Sequence, residues 1–232
     1  MSRQRQPRGL RRVRGFSLLE MAIVLVIVGL LLGGLLGSVG ALQQRQRLAQ
    51  TQAQLDEIRA ALIAFAAVNG RLPCPADPAT PNTTPGAGLE RAPTAAGCTG
   101  GTTGVLPWAT LALPEGDAWG RRFSYRVSAA FARAPAAIDL STTGDNVVRN
   151  SAAVILASAV PAVVVSHGEN TRGSRGPGGA LAAGSADARE QENADGDAEF
   201  VADTPAGAYD DLVQWVPGPV LVHGLLQAGV LP

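Results

Sequence analysis

Residues 14–20 read Arg14-Gly15-Phe16-Ser17-Leu18-Leu19-Glu20, and they open an apolar run that continues Met21-Ala22-Ile23-Val24-Leu25-Val26-Ile27-Val28-Gly29 and reaches Leu42. Between Phe16 and Leu42 the only charge is Glu20, and there is no proline. As a helix this run would rise ~40 Å at 1.5 Å per residue, more than the ~30 Å hydrocarbon core of a bilayer. Arg3, Arg5, Arg8, Arg11, Arg12 and Arg14 all precede it, with no acid among them. A basic flank of this kind stays in the cytoplasm, so the expected orientation carries everything after Leu42 to the far side.

A secretory signal peptide also starts basic, but its apolar core spans 7 to 15 residues and ends at small residues. This run is longer, and Val39-Gly40-Ala41 is a poor small-x-small site. Glu20 is the feature to explain, because a carboxylate near the centre of a bilayer costs on the order of 3 kcal/mol and seeks a partner. It lies at the fifth position after Gly15, a residue with no side chain to keep a protease from the backbone.

With Gly15, Phe16 and Glu20 in this arrangement, residues 9–42 resemble the prepilins of type IV pili and the pseudopilins of type II secretion. The resemblance implies cleavage between Gly15 and Phe16 by a prepilin peptidase, methylation of the new Phe16 amine, and pairing of Glu20 with the amine of a neighbouring subunit. The alternative for Glu20 is that it reaches the lipid headgroups unaided. Implied partners are the peptidase, other subunits packed helix to helix, inner-membrane lipid and an inner-membrane assembly platform. The implied location is the bacterial inner membrane, single pass with a periplasmic head, and then a filament. Gly29, Gly33, Gly34, Gly37 and Gly40 suit this, since small residues four apart let helices approach closely.

All 19 basic residues are arginine. Removal of residues 1–15 leaves 13 arginines against 19 carboxylates. An acidic mature chain lacks the basic stripe that phosphate neutralisation requires, so no nucleic-acid partner is expected.

Residues 43–70 continue the helix, because Leu48, Leu55, Ile58, Leu62 and Phe65 fall on one face and Gly70, Pro73 and Pro75 stop it. Residues 71–232 form the expected head, an α+β fold of pilin-like type: the long helix packed on a small antiparallel sheet. Pro73 to Thr110 reads as loop. Strands are expected at Arg121–Phe131, Ala153–Ala157, Ala162–Ser166 and Leu212–Val216, and Val220–Val230 as a short helix or an irregular tail. Asp117-Ala118-Trp119-Gly120 resembles a turn in the heads of pseudopilins, with Asp117 as a cap, Trp119 as a buried ring and Gly120 at positive φ. Cys74 and Cys98 have too few companions for a metal site. In an oxidising compartment they are expected to pair, two free thiols being the alternative; closing that loop is worth roughly 3 kcal/mol in the chain-entropy model.

Two polar clusters carry residue types that chemistry could use. Ser166-His167-Gly168-Glu169 has the residue types of a hydrolase, but neighbours on a strand point to opposite faces, so an exposed strand-to-loop boundary is expected and no catalytic residue is assigned. The glycine-rich, acidic stretch 168–211 reads as a solvated loop. Calcium is the alternative there, yet Asn193-Ala194-Asp195-Gly196-Asp197 lacks the spacing of an EF-hand, so no ligand is assigned and no cofactor is expected. The function expected is a structural filament subunit, a pseudopilin first and a type IV minor pilin second. A periplasmic binding domain on an uncleaved anchor is the competitor from another class.

Overall fold

The computed structural model describes residues 16–135 and 138–231, with residues 31–39 described by their backbone alone. Helix α1 runs Leu18–Asn69, 52 residues. The chain divides within it into two units, Met1–Arg45 and Gln46–Pro232. In the first, every described side chain from Phe16 to Leu30 is exposed. Among the described residues no helix is long and apolar enough to cross a membrane. In the sequence the uncharged run goes on to Leu42.

In the second unit Thr51, Leu55, Ile58, Leu62 and Ala66 are buried at helical spacing. Phe65, expected on this face, is only half-buried. Helical periodicity gives the core position after Leu62 to Ala66, and the Phe65 ring lies beside it under the Arg71 guanidinium, 5.4 Å from the ring centroid. Gly70, at φ 67°, ends the helix, and its N–H donates to Ala66 O at 2.8 Å.

The stretch expected to be loop holds short elements: β1 (Pro93–Thr94), β2 (Gly97–Cys98), β3 (Thr103–Val105) and α2 (Trp108–Leu111). None is long enough to show a hydrophobic period. The turn before β3 and its first residue are tied to a distant arginine: Arg91 donates to the carbonyls of Pro75, Gly100, Gly101 and Thr103. Cys74 and Cys98 form a disulfide, Cα to Cα 5.6 Å.

The strand expected over Arg121–Phe131 is instead β4 (Ser124–Val127) followed by α3 (Ala129–Ala132). Ser128 breaks it: its N–H donates to Pro161 O, and its hydroxyl accepts from the Asp145 N–H and Asn146 Nδ2. Next come β5 (Asn146–Arg149) and β6 (Ile155–Val160). β6 starts later than expected because Asn150 Oδ1 accepts from the Ala152 and Val154 N–H groups, holding the chain before it in a turn. β7 (Ala162–Ser166) and, further on, β9 (Leu212–Val216) have the expected bounds. Between them the glycine-rich, acidic stretch contains α4 (Ala188–Ala194) and β8 (Glu199–Val201), so it is not a plain loop. The closing segment is a helix, α5 (Gly218–Gln227).

The main sheet has the order β3-β4-β7-β9, antiparallel throughout. A second sheet, β6-β5-β8, is mixed, with β8 parallel to β5. β7 is buried along its whole length. Alternation explains this: Ala162 and Val164 join the core formed with Leu55, Ile58 and Leu62 of α1 and Leu221 and Leu225 of α5, while Val163 and Val165 join a second core with Val148, Val160 and Phe200. Full burial of each valine, leucine, isoleucine or phenylalanine among them is worth about 1.5–3 kcal/mol. The fold is the expected α+β arrangement, helix on antiparallel sheet, with a second small sheet added.

Candidate functional site

Residue 17 is the last before α1, and its side chain is a hydroxyl. The Glu20 N–H donates to Ser17 Oγ at 3.2 Å, and the Ser17 N–H donates to Glu20 Oε2 at 3.4 Å. Serine followed three residues later by glutamate is a capping box, which satisfies two donors that a helix start leaves open. Glu20 therefore has a local task besides any intersubunit one, and the carboxylate favours the positive end of the helix dipole. Phe16, one residue upstream, is 77% exposed. Gly15 and the arginine-rich segment before it lie outside the described residues. Where a Cβ of Gly29 or Gly40 would stand, nothing lies within 4 Å, so both positions are open to a neighbouring helix.

In the head, His167 was expected at an exposed boundary, yet both Ser166 and His167 are fully buried. The reason is that each is held by a group distant in sequence. Ser166 Oγ donates to Asp117 Oδ2 at 2.6 Å. Asp117 Oδ1 in turn accepts from the Trp119 and Arg121 N–H groups, and Gly120 takes φ 74°, which is the expected Asp-Ala-Trp-Gly turn now fastened to β7. The Trp119 ring is only half-buried. His167 Nε2 lies 2.8 Å from Ser124 Oγ on β4, and His167 Nδ1 lies 3.6 Å from Asp211 Oδ1, ahead of β9. Serine, histidine and aspartate thus do meet, though they are not the residues adjacent in sequence. The 3.6 Å gap is beyond hydrogen-bonding reach, and the ring and carboxylate are both closed to solvent. The close polar contact that His167 makes is the one to Ser124 on β4, just beyond the end of β7.

The prokaryotic N-terminal methylation motif matches residues 10–36. The chain carries a prepilin-like N-terminus. The matched range includes Gly15, Phe16 and Glu20, and the match implies prepilin-peptidase processing and assembly with other pilin-type subunits. No curated protein and no solved structure matches the chain.

The prepilin-like segment was legible from one motif, whereas a second group of residues was not. Glu190, Asp210 and Asp211 each place a carboxylate oxygen within 4.8 Å of the others. Glu190 and Asp211 are fully buried. Burial, ahead of the neighbouring carboxylates, pushes Asp210 up to about 6 and also raises Asp211. All three belong to the acidic run noticed in the sequence, but no spacing rule brings position 190 to 210. The Asn193–Asp197 stretch is instead a set of turn caps: Asp195 Oδ1 accepts from the Asp197 N–H, and Asp197 Oδ1 from the Glu199 N–H.

Proposed function

We infer that this prepilin-like chain is a non-catalytic structural subunit of a type II secretion pseudopilus. It would be cut between Gly15 and Phe16, methylated on Phe16 and assembled through α1. The observation that carries the reading is the methylation motif over residues 10–36, with Glu20 as the only charge between Phe16 and Leu42. Before assembly α1 is held in inner-membrane lipid, and the described apolar side chains from Phe16 to Leu30, all exposed in the single chain, are the surface that lipid and then neighbouring helices cover. An assembly platform in the inner membrane draws the subunit from one environment to the other. A carboxylate moving with that helix gains from meeting the new Phe16 amine of a neighbour, which offsets its cost in apolar surroundings.

The test is the N-terminal sequence and intact mass of the protein from host membranes, with and without the host's prepilin peptidase. The expected product starts at methylated Phe16 and disappears without the peptidase. A chain that keeps residues 1–15 in both hosts, or one cut near Ala41, overturns the reading. Cross-linking of the mature chain to type II secretion components supports the pseudopilus, and cross-linking to pilus subunits alone would move it to a type IV system.

A further inference from the structure

Each of the two larger sheets ends in two edge strands, and three of these four edges are guarded. On β3 the Val105 N–H donates to Ala76 O, Val105 O accepts from the Ala76 N–H, and Thr103 O accepts from Arg91. On β8 the Asn193 side chain takes the place of a strand: it accepts from the Val201 N–H and donates to Val201 O, which also accepts from the Tyr209 hydroxyl. On β9 the Trp215 N–H donates to Gln214 Oε1, Gln214 Nε2 donates to Asp56 Oδ1 on α1, and Asp56 and Asp203 line the cleft beside the strand. Caps and charges of this kind keep foreign strands off a sheet.

The fourth edge, β6, has neither. It pairs with β5, and among the described residues no other group hydrogen-bonds to the backbone of residues 155–159. An antiparallel strand gives its neighbour alternate backbone groups, so the rest of these point outward. Val154, Ile155 and Leu156 are exposed there, and from Asn150 to Pro161 the chain carries no charge. Register shifts against β5 bend and twist the strand, so an added strand must share that twist. A second β6 shares it. With the other edges guarded, β6 is also the edge that a second copy has to offer. Pairing of β6 with β6 is isologous and closes at two, whereas pairing with a different edge would run on into an open chain. Without residues 1–15 the chain has 13 arginines against 19 carboxylates, so copies repel one another in general and meet least opposition along a neutral strand.

We propose that β6 is the docking edge for a second copy of this chain: the β6 strands of two heads pair antiparallel about a two-fold axis and join their three-stranded sheets into one continuous sheet. Backbone hydrogen bonds between the strands supply the register, and Val154, Ile155 and Leu156 of each copy cover one another. The pairing belongs to the head and does not depend on the N-terminal reading.

The test uses the full-length protein in detergent, with Ser158→Cys on β6 joined by a short bifunctional maleimide and Leu181→Cys, also exposed but off the strand, as the control. The β6 variant should give a cross-linked dimer and the control should not. Ile155→Arg places like charges across the pair and should cut the Ser158→Cys dimer about tenfold, whereas Leu181→Arg should leave it unchanged. That dependence separates pairing of heads from association through α1, which Ile155→Arg does not touch. In the wild type, amide hydrogen exchange over residues 155–159 should be about tenfold slower at high protein concentration than at low, since pairing protects the outward groups; this arm stands even where a variant does not fold. Equal dimer from Leu181→Cys, a Ser158→Cys dimer that survives Ile155→Arg, or exchange independent of concentration overturns the proposal. Cross-linking of Ser158→Cys to a different protein in host membranes, with no dimer, gives the edge to another partner and overturns it equally.

Discussion

Ser17 and Glu20 cap one another across the first turn of α1, each accepting the other's backbone N–H, at 3.2 and 3.4 Å. Cleavage after Gly15 would put a new amine one residue before this box. Glu20 would then stand between two demands, its own helix start and the amine of a neighbour.

Three substitutions separate those demands. Ser17→Ala removes the hydroxyl acceptor and keeps the charge, at a cost of about 1 kcal/mol to the helix start, and should still be processed and incorporated. Glu20→Gln keeps a side-chain acceptor and loses the charge. Glu20→Leu loses both. If the charge pairs with a neighbour's amine, Gln and Leu should both be processed by the peptidase and both be missing from sheared filaments, as read by immunoblot. Incorporation of Gln at the wild-type level would reduce Glu20 to a cap.

Asp145 makes the head's stability depend on acid. Burial alone would raise its carboxyl, but hydrogen bonds from Arg126 and Ser128 outweigh that and hold it below the usual carboxylate range. A carboxyl depressed in the folded state adds stability that is complete above its unfolded value of about 4 and is lost as pH falls through the folded value. Asp145 is more than half exposed, so the contribution is at most about 1 kcal/mol after screening. Urea unfolding between pH 6 and pH 2.5 should show Asp145→Asn less stable than wild type at pH 6, with the gap closing at the acid end. A gap that stays constant would mean that the Arg126 contact adds nothing through charge.

Legibility in the sequence followed how local each signal was. β7 and β9 were read with their observed bounds because each is a run of strand-forming residues with breakers nearby: Pro161 and Gly168 flank β7, and Pro217 and Gly218 follow β9. The helix face from Leu55 to Leu62 was readable from its period, and Gly15, Phe16 and Glu20 from one motif. β1, β2 and β3 were not readable, being two or three residues long and too short to show a period. The surroundings of His167 were not readable, because Ser124 on β4 and Asp211 just ahead of β9 lie 43 and 44 residues away in sequence. Glu190 and Asp210 meet only because α4 and the approach to β9 fold together, which no spacing within the acidic run announces.

Gly224 on α5 offers a test in which two rules oppose each other. A Cβ there would stand 2.7 Å from Ile63 Cγ2 on α1, closer than real Cβ contacts come. Its φ is not positive, so backbone strain plays no part. Helix propensity favours Gly224→Ala by about 1 kcal/mol, while forcing a methyl into a packed contact costs about 1–3 kcal/mol. Ile63 is branched at Cβ, so that methyl moves only with the whole side chain or with the helices, and packing should win. The variant should be less stable than wild type by about 1 kcal/mol in urea unfolding. Ile63→Ala removes the obstructing methyl, and in that background Gly224→Ala should become stabilising, by the propensity difference. A reversal of sign in the double-mutant cycle locates the effect in the contact between α1 and α5; a substitution that stabilises both backgrounds would show that the helices already leave room for the methyl.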